Sequence, residues 1–223
     1  MTTIYLVRHC EAAGNIGRVF QGHIDEDISE NGRRQLEKLA RRFRDIPLEA
    51  VISSPLLRAR RTAEAVNRYH GVPVEIDERL MEINGGCWEG KRWADLPGLY
   101  PKECHDWVHT PWAFHPAEGE AMADVYARMA AALTAIAAAH PGRQVAVVSH
   151  GCAIRNALCW AKGWPVERLN DEPWCDNTAV SVLEIGGQGI RLVKENDNSH
   201  LDKDLSTFEK QDWWKGGASD PFH

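Results

Sequence analysis

Short apolar runs alternate with longer amphipathic segments along most of this chain. The apolar runs favour strands at residues 3–7, 50–53, 74–76, 144–148, 179–185 and 190–195. Apolar residues at helical spacing predict a helix that starts at the N-cap Ser29 and stops before Pro47. Further helices are predicted at residues 57–69, 118–140 and 153–162. Strands that alternate with helices predict an α/β fold, a three-layer sandwich with a largely parallel central sheet flanked by helices.

The middle of the chain lacks this alternation. From residue 80 to residue 117, glycines and prolines interrupt every periodic pattern. A long ordered loop in a compact domain is usually functional, which favours a substrate lid. We therefore predict one domain at residues 1–195, with an irregular lid insertion at about 83–117. A C-terminal tail at 196–223, which contains Trp213 and Trp214, is either a flexible end or a strap over the domain.

Composition excludes several classes of protein. The net charge is −6, from 26 Lys and Arg against 32 Asp and Glu, which argues against a general nucleic-acid binder. Hydrophobic residues make up 43% of the chain, so wholesale disorder is excluded. No run approaches the roughly 18 apolar residues of a membrane span, and the first residues do not follow the pattern of a signal peptide. We expect a cytoplasmic protein whose six cysteines, without a CxxC pair, are reduced thiols.

Three strand ends carry candidate chemistry. Arg8 and His9 follow the first strand, His150 follows the strand at 144–148, and Arg58 lies just after the strand at 50–53. If these strands are neighbours in a parallel sheet, the four side chains converge on one edge. Arginine forks and helix N-termini both favour the oxygens of a phosphate. One imidazole could attack phosphorus while the other stabilises the transferring group, although histidines at strand ends are also common structural residues.

Several blocks of the sequence, in order along the chain, resemble the histidine phosphatase superfamily, the phosphoglycerate-mutase-like proteins. The first block is LVRHCEAAGN at residues 6–15, and residues 21–22 and 28–32 match the blocks that follow. SSPLLRARRTAE at residues 53–64 matches the second phosphate-binding block, and residues 80–82 and 86–90 match the acid-bearing loop. Residues 119–120 and 148–151 complete the series. Ordered blocks over most of the chain are far more specific than one short motif.

The resemblance implies a metal-independent phosphomonoester hydrolase that works through a phosphohistidine intermediate. In the family pattern His9 is the nucleophile, while Arg8, Arg58 and His150 hold the phosphoryl oxygens and offset their charge. Glu82 is the proton donor to the leaving oxygen, because an alkoxide leaves poorly unless it is protonated.

The same resemblance implies further binding positions and the partners. Besides Arg8, Arg58 and His150, the phosphate-binding positions are Asn15, Gln21, Gly22 and Gly151. We expect no metal and no cofactor, and a small phosphorylated metabolite as the substrate, without nucleic-acid or membrane partners. The sequence does not name that substrate, and it leaves the oligomeric state open, a homodimer included.

Cys10 departs from the family pattern, which usually has glycine after the nucleophilic histidine. A glycine there permits a positive φ or a close approach of the backbone to phosphate. We expect Cys10 to keep a negative φ and the protein to stay active, because the phosphate-binding side chains are all present. Two fates of the thiol are open: a buried inert group, or a thiolate favoured by Arg8 and Arg58 and sensitive to oxidation.

Three other functions stay compatible with the sequence. A phosphoglycerate mutase would return the phosphoryl group to a second hydroxyl, but it would carry a longer insertion before the second histidine, and residues 88–90 (WEG) resemble the phosphatase branch. A non-catalytic phosphate binder, with its site spoiled at Cys10, would have no need for Glu82. A zinc-dependent hydrolase would use His105 and His109, which would share one face if this irregular segment were helical, but their cluster lacks a standard ligand spacing. A lid that includes Trp107 and its neighbours is the preferred interpretation of that segment.

Overall fold

The computed structural model describes residues 1–211 and 221–222 and contains a six-stranded sheet. The strands are β1 (Thr2–Arg8), β2 (Ala50–Ser53), β3 (Val74–Ile76), β4 (Gln144–Ser149), β5 (Val180–Gly186) and β6 (Gly189–Asp197). Across the sheet their order is β3-β2-β4-β1-β5-β6. Strands β3, β2, β4 and β1 are parallel, whereas β5 is antiparallel to both β1 and β6. The prediction of a largely parallel sheet is confirmed.

Helices lie on both faces of this sheet. The α-helices are α1 (Ala13–Gly17), α2 (Glu30–Phe43), α3 (Leu57–Asn67), α4 (Leu96–Leu99), α5 (Pro101–His109), α6 (Met122–Ala139), α7 (Gly151–Ala161) and α8 (Thr207–Lys210). Short 3₁₀ turns occur at Glu78–Leu80, Gly86–Trp88, Trp93–Asp95, Pro111–Ala113 and Val166–Asp171.

Alternate residues of β4 point into two separate cores. Val145 and Val147 pack with residues of α6 and α7, while Ala146 and Val148 pack with residues of α2 and α3. Successive side chains of a strand point to opposite faces of its sheet, so one apolar run supplies both cores. Helices on both faces make the three-layer sandwich that the sequence predicts.

The register of the parallel strands places their carboxyl ends level with one another. Val7 of β1 pairs with Val148 of β4, and Arg8 pairs with Ser149. Ser53, the last residue of β2, also pairs with Val148. The segments that follow β1, β2 and β4 therefore leave the sheet at the same edge, where open α/β sheets place their ligands.

Helix α2 begins and ends as the hydrophobic pattern predicts. The Ser29 hydroxyl accepts a hydrogen bond from the Gly32 amide at 2.9 Å and caps the first turn. The helix ends at Phe43, before Pro47, and its apolar face is buried against the sheet.

Helix α6 begins later than predicted. Glu118 has a left-handed φ of 60°, and the helix starts at Met122 instead of residue 118.

By length and composition α6 could cross a membrane, with a mean hydropathy of 1.2 over 18 residues. The helix contains Asp124 and Arg128, so it holds no uninterrupted run of 18 apolar residues, in agreement with the expectation from the sequence. Val125, Met129 and Leu133 of α6 are buried in the core, and a core helix of a globular domain passes the same test.

The segment between β3 and α6 is more regular than predicted. It contains α4 and α5 as well as short 3₁₀ turns. Pro97 and Pro101 lie in the first turns of these two helices, where the missing amide is tolerated because it would have no partner in the helix. Prolines that interrupt the pattern in the sequence are thus helix starts in the structure.

The described part of the predicted tail packs against α2. β6 continues to Asp197, past the predicted end at residue 195. The Leu205 carbonyl then accepts hydrogen bonds from Asn31 at 3.1 Å and from Gln35 at 2.8 Å. Trp213 and Trp214 lie outside the described residues.

Candidate active site

The candidate site forms where β1, β2 and β4 end. Arg8 is the last residue of β1 and His9 follows it, while His150 follows β4 as the N-cap of α7. Arg58 lies in the first turn of α3, shortly after β2. The structure therefore brings together the four side chains that the sequence places at strand ends.

His9 is buried, with 4% of its surface exposed, and its ring orientation is fixed. Its Nδ1 lies 2.6 Å from the Cys10 carbonyl oxygen, which can only accept, so Nδ1 carries the proton. Burial, and then the charges of Arg58 and Arg8, hold the pKa of His9 well below its ordinary value. The ring is therefore neutral and Nε2 keeps its lone pair.

His150 is fully buried and holds its proton on the other ring nitrogen. Its Nδ1 accepts a hydrogen bond from Nε of Arg58 at 3.2 Å, and its Nε2 donates to the Ser54 hydroxyl at 2.7 Å. Burial, and then the charge of Arg58, keep the pKa of His150 well below its ordinary value. The ring centroids of His9 and His150 are 5.1 Å apart.

Arg58 is held rigidly by main-chain carbonyls. Only 1% of its surface is exposed, and burial lowers its pKa from the ordinary value. Its Nη1 donates to the Ile24 carbonyl at 2.8 Å, and its Nη2 donates to the carbonyls of Gly22 at 2.8 Å and Gln21 at 3.4 Å. The loop at residues 21–24 therefore fixes the position of the guanidinium.

The same loop is organised from its other side by Glu89. The carboxylate accepts four main-chain hydrogen bonds, from His23 at 2.9 Å, Gly85 at 2.8 Å, and Gly22 and Ile24 at 3.2 Å each. A Cβ on Gly22 would lie 2.3 Å from the main-chain oxygen of Ile83 and 2.1 Å from Oε1 of Glu89, so this position requires glycine. Glu89 is the middle residue of the WEG motif at residues 88–90, and its supporting role becomes visible only in the fold.

Arg8 has an unused donor beside the cavity. Its Nη1 donates to the Cys175 carbonyl, whereas its buried Nε has no hydrogen-bond partner within the part of the chain that the structure describes. A Cβ added at Gly151 would lie 3.3 Å from Nε and Cζ of Arg8. An unpaired buried donor is costly, and an anionic ligand would satisfy it.

Glu82 lies at the N-terminus of α7, with 9% of its surface exposed. Its carboxylate accepts hydrogen bonds from the amides of Cys152 and Ala153 at 3.0 Å each and from the Ile83 amide at 2.9 Å. The first amides of a helix favour a carboxylate or a phosphate at this point. The predicted acid is thereby positioned beside the same cavity as His9.

The cavity has a volume of about 100 Å³. Seven of the predicted site residues line it: Arg8, His9, Asn15, Gln21, Arg58, Glu82 and Gly151. His150 and Gly22 lie behind this lining and contact Arg58. An aromatic wall faces the polar groups, made of Phe20, Trp93, Trp107 and Trp174. Trp93, Trp107 and Trp174 belong to the tryptophans that the sequence places on loops of the middle and late chain, where such a cluster could wall a pocket.

Asn15 and Gln21 each make an internal contact as well as lining the cavity. Oδ1 of Asn15 accepts a hydrogen bond from the Ala12 amide at 2.9 Å, which caps α1. Nε2 of Gln21 donates to Glu26 at 2.6 Å. These side chains shape the entrance loop in addition to any contact with a ligand.

Cys10 has the negative φ that the sequence analysis expects, but its thiol lies away from the two arginines. The side chain is fully buried in the core between α2 and the sheet. Burial raises the pKa of the thiol to about 12. Of the two fates left open by the sequence, the structure supports the buried inert thiol, and a thiolate stabilised by Arg8 and Arg58 is wrong.

His105 and His109 are neighbours on α5, with ring centroids 4.8 Å apart, and both are exposed. Within residues 1–211 and 221–222, no group of three or more His, Cys, Asp or Glu side chains is placed to hold a metal ion. Trp107 from the same helix reaches the active-site cavity, whereas Trp112 is absent from its lining.

Comparison with known proteins decides the family. The chain matches the profile of the histidine phosphatase superfamily (branch 1) over residues 4–198. The chain belongs to this superfamily. It is 32% identical over 205 residues to phosphoserine phosphatase 1 of Hydrogenobacter thermophilus, a match that covers 90% of this chain and 95% of that protein. The protein is therefore a histidine-superfamily phosphatase.

This phosphatase is also similar to a second relative and to a solved structure. It is 34% identical over 214 residues to a probable phosphoglycerate mutase, GpmB, of Erwinia tasmaniensis. The match covers 82% of this chain and 100% of that protein. The solved structure of Bacillus stearothermophilus YhfR matches with a TM-score of 0.87 and 33% identity, over 91% of this chain and 100% of that one. The phosphoglycerate-mutase-like fold is confirmed.

Proposed function

We propose that this phosphatase hydrolyses a small phosphorylated metabolite through a phosphohistidine on His9, without a metal ion. The supporting observation is the orientation of His9. Its Nδ1 proton is held by the Cys10 carbonyl at 2.6 Å, and the lowered pKa keeps the ring neutral, which leaves the Nε2 lone pair for attack on phosphorus. Arg8 and Arg58, which line the same cavity, hold the phosphoryl oxygens.

In the first step, Nε2 of His9 forms a bond to phosphorus while the bond from phosphorus to the ester oxygen breaks. Protonated Glu82 gives its proton to that oxygen, so the substrate leaves as an alcohol. Arg8 and Arg58 offset charge on the transferring group, and His150 supports it through its contact with Arg58 at 3.2 Å.

In the second step, water attacks the phosphohistidine. The Glu82 carboxylate takes a proton from the water as its oxygen bonds to phosphorus, and the bond from phosphorus to His9 breaks. Inorganic phosphate leaves, His9 returns to its neutral form, and Glu82 is again protonated for the next cycle.

A phosphoglycerate mutase is the second candidate, because one of the relatives carries that name at 34% identity. A mutase would pass the phosphoryl group from His9 to a second hydroxyl instead of to water. Isomerisation of 3-phosphoglycerate without release of phosphate would support it against the hydrolase.

The decisive experiment measures phosphate release in EDTA from p-nitrophenyl phosphate, phosphoserine and 3-phosphoglycerate. Wild type, His9→Ala and the control His105→Ala are compared, since His105 is an exposed histidine outside the cavity. We expect release by wild type and the control, and a loss of at least about a thousandfold in His9→Ala because the nucleophile is gone. Equal release by wild type and His9→Ala would exclude His9 as the nucleophile, and loss of activity in EDTA would point to a metal.

We also propose that the enzyme works in the cytoplasm on a small metabolite. All six cysteines are free in the structure, which suits a reducing compartment. Protein taken from the cell is unfolded and alkylated without prior reduction. Its mass should then show that all six thiols are labelled. A disulfide in that sample would contradict the cytoplasmic assignment.

A further inference from the structure

Arg155 lies in α7 and is buried, with 6% of its surface exposed. Its Nε donates to the Glu172 carbonyl and its Nη2 to the Leu169 carbonyl, both at 2.7 Å. Its guanidinium carbon also lies 4.8 Å from the centre of the Trp174 ring. One cation therefore holds the segment at residues 169–174 by two carbonyls and one aromatic face.

The charge of Arg155 does not serve substrate directly, because the residue lies outside the lining of the active-site cavity. Its burial carries a desolvation cost, which lowers its pKa from the ordinary value. An apolar side chain of similar volume would fill the space without that cost. The contacts of the guanidinium with the segment at residues 169–174 therefore explain why an arginine is buried here.

Trp174 is the part of this segment that reaches the cavity. Its ring stacks on Trp107, with 6.0 Å between centroids and 28° between the planes. Phe20 and Trp93 line the same cavity. Since Arg8 and Arg58 bind the phosphoryl end under the proposed function, the aromatic wall faces the part of the ester that leaves as an alcohol.

We propose that Arg155 is a positioning residue that sets Trp174 as the wall of the leaving-group pocket, and that this wall selects phosphomonoesters whose alcohol carries a ring or another broad apolar face. The inference rests on the proposed function. Indole faces bind rings and apolar surfaces, and a rigid wall binds them at a lower entropic cost. Arginine suits the role because its planar fork reaches two carbonyls while its face lies on the indole.

The test compares two esters with similar leaving oxygens, ethyl phosphate and 2-phenylethyl phosphate, which differ by the phenyl ring. Wild type should have a kcat/KM for 2-phenylethyl phosphate about tenfold or more above that for ethyl phosphate, because burial of a phenyl ring is favourable. Phosphoserine, a small zwitterionic ester, should also be poorer than 2-phenylethyl phosphate. A ratio near one, or a preference for phosphoserine, would overturn the selectivity.

Two variants test the role of Arg155. Arg155→Met should lower the ratio several-fold, and Arg155→Lys should not restore it, since an ammonium cannot supply the planar fork. Arg168→Met is the matched control, because Arg168 lies over Trp164 at 3.9 Å with half of its side chain exposed, outside the cavity lining. The control should keep the wild-type ratio.

The outcomes separate positioning from simple stability. Equal losses for both esters in Arg155→Met would show a general structural role and overturn the proposal. If Arg155→Met does not fold, Trp174→Ala decides, because it must lower the ratio if the wall selects the ring. If wild type releases no phosphate from any ester, the proposed function fails. In that case calorimetry measures the affinities of the protein for the two esters. Equal affinities would also overturn the proposal that the aromatic wall selects a ring.

Discussion

Two histidines at neighbouring strand ends hold their ring protons on opposite nitrogens. The Cys10 carbonyl keeps the proton of His9 on Nδ1, and the Arg58 Nε–H keeps the proton of His150 on Nε2. The first histidine therefore offers a lone pair and the second offers a donor. Under the proposed function, one cluster thus contains both a nucleophile and an electrostatic support, although the residue type is the same.

Cys10 provides a prediction at the scale of one residue. Because its thiol is fully buried and its pKa is raised to about 12, native protein treated with iodoacetamide should keep Cys10 unlabelled and retain its phosphatase activity. Half-exposed Cys87 serves as the internal control and should be labelled in the same sample. Peptide mass spectrometry reads both sites, and labelling of Cys10 in parallel with a loss of activity would contradict the buried thiol.

The strand-end residues could be predicted from the sequence, whereas the residues that hold them in place could not. Arg8, His9 and His150 end apolar runs, and parallel strands bring such ends to one edge. Glu89 and Arg155 act through main-chain groups of distant or irregular segments, and such contacts leave no periodic trace in the sequence. The fate of the Cys10 thiol also needed the fold, because only the fold shows which side of the backbone it faces.

At the scale of elements, the loop at residues 21–24 separates an anion from a cation. Its amides point to Glu89 and its carbonyls point to Arg58. Glu89 also binds the Gly85 amide, which ties this loop to the segment that carries Glu82. The carboxylate therefore links Arg58, the proposed phosphate-binding arginine, to the predicted acid Glu82 without contacting either one.

Glu89→Gln tests that link. The amide keeps one acceptor oxygen but places a donor against main-chain amides, so at least one of them loses its partner, at a cost of about 1–3 kcal/mol. We expect kcat/KM to fall by roughly 10- to 100-fold, and the inhibition constant of inorganic phosphate to rise. The exposed Glu75 supplies the control, Glu75→Gln, which should match wild type in both readouts. Unchanged phosphate inhibition in Glu89→Gln would remove Glu89 from the support of Arg58.

Element prediction succeeded where one periodic pattern decided the structure. The strands and α2 follow from apolar runs and one N-cap, which local physics determines. The start of α6 was misplaced because Glu118 adopts a left-handed φ. Helix α5 was missed because Pro101, which interrupts an apolar pattern, is also a favourable first residue of a helix.

At the scale of the whole molecule, the fold buries several histidines in their neutral form. His9 and His150 are two of them. His200 is a third, and burial lowers its pKa to about 4. Nδ1 of His200 accepts a hydrogen bond from Nη1 of Arg42 at 3.0 Å, near the described part of the tail that packs on α2. A buried neutral histidine couples the stability of the entire domain to pH, because the unfolded chain can bind a proton that the folded chain excludes.

The pH dependence of unfolding tests this coupling through His200. Below pH 6.5 the unfolded histidine gains a proton, while the folded one stays neutral until about pH 4, so stability is lost as the pH falls through this window. For His200 alone the loss between pH 7 and pH 5 is roughly 2 kcal/mol. Urea unfolding at the two pH values should therefore show a smaller fall for His200→Asn than for wild type.

Comparison between variants is needed because other groups titrate in the same range. Burial raises the pKa of Glu172 to about 7, so its contribution has the opposite sign: the folded state gains a proton there before the unfolded chain does. That contribution is common to wild type and His200→Asn and cancels in their difference. The exposed His115 provides the control, and His115→Asn should keep the wild-type slope. Equal slopes for wild type and His200→Asn would mean that His200 is protonated in the folded protein, against the buried, Arg42-bound geometry.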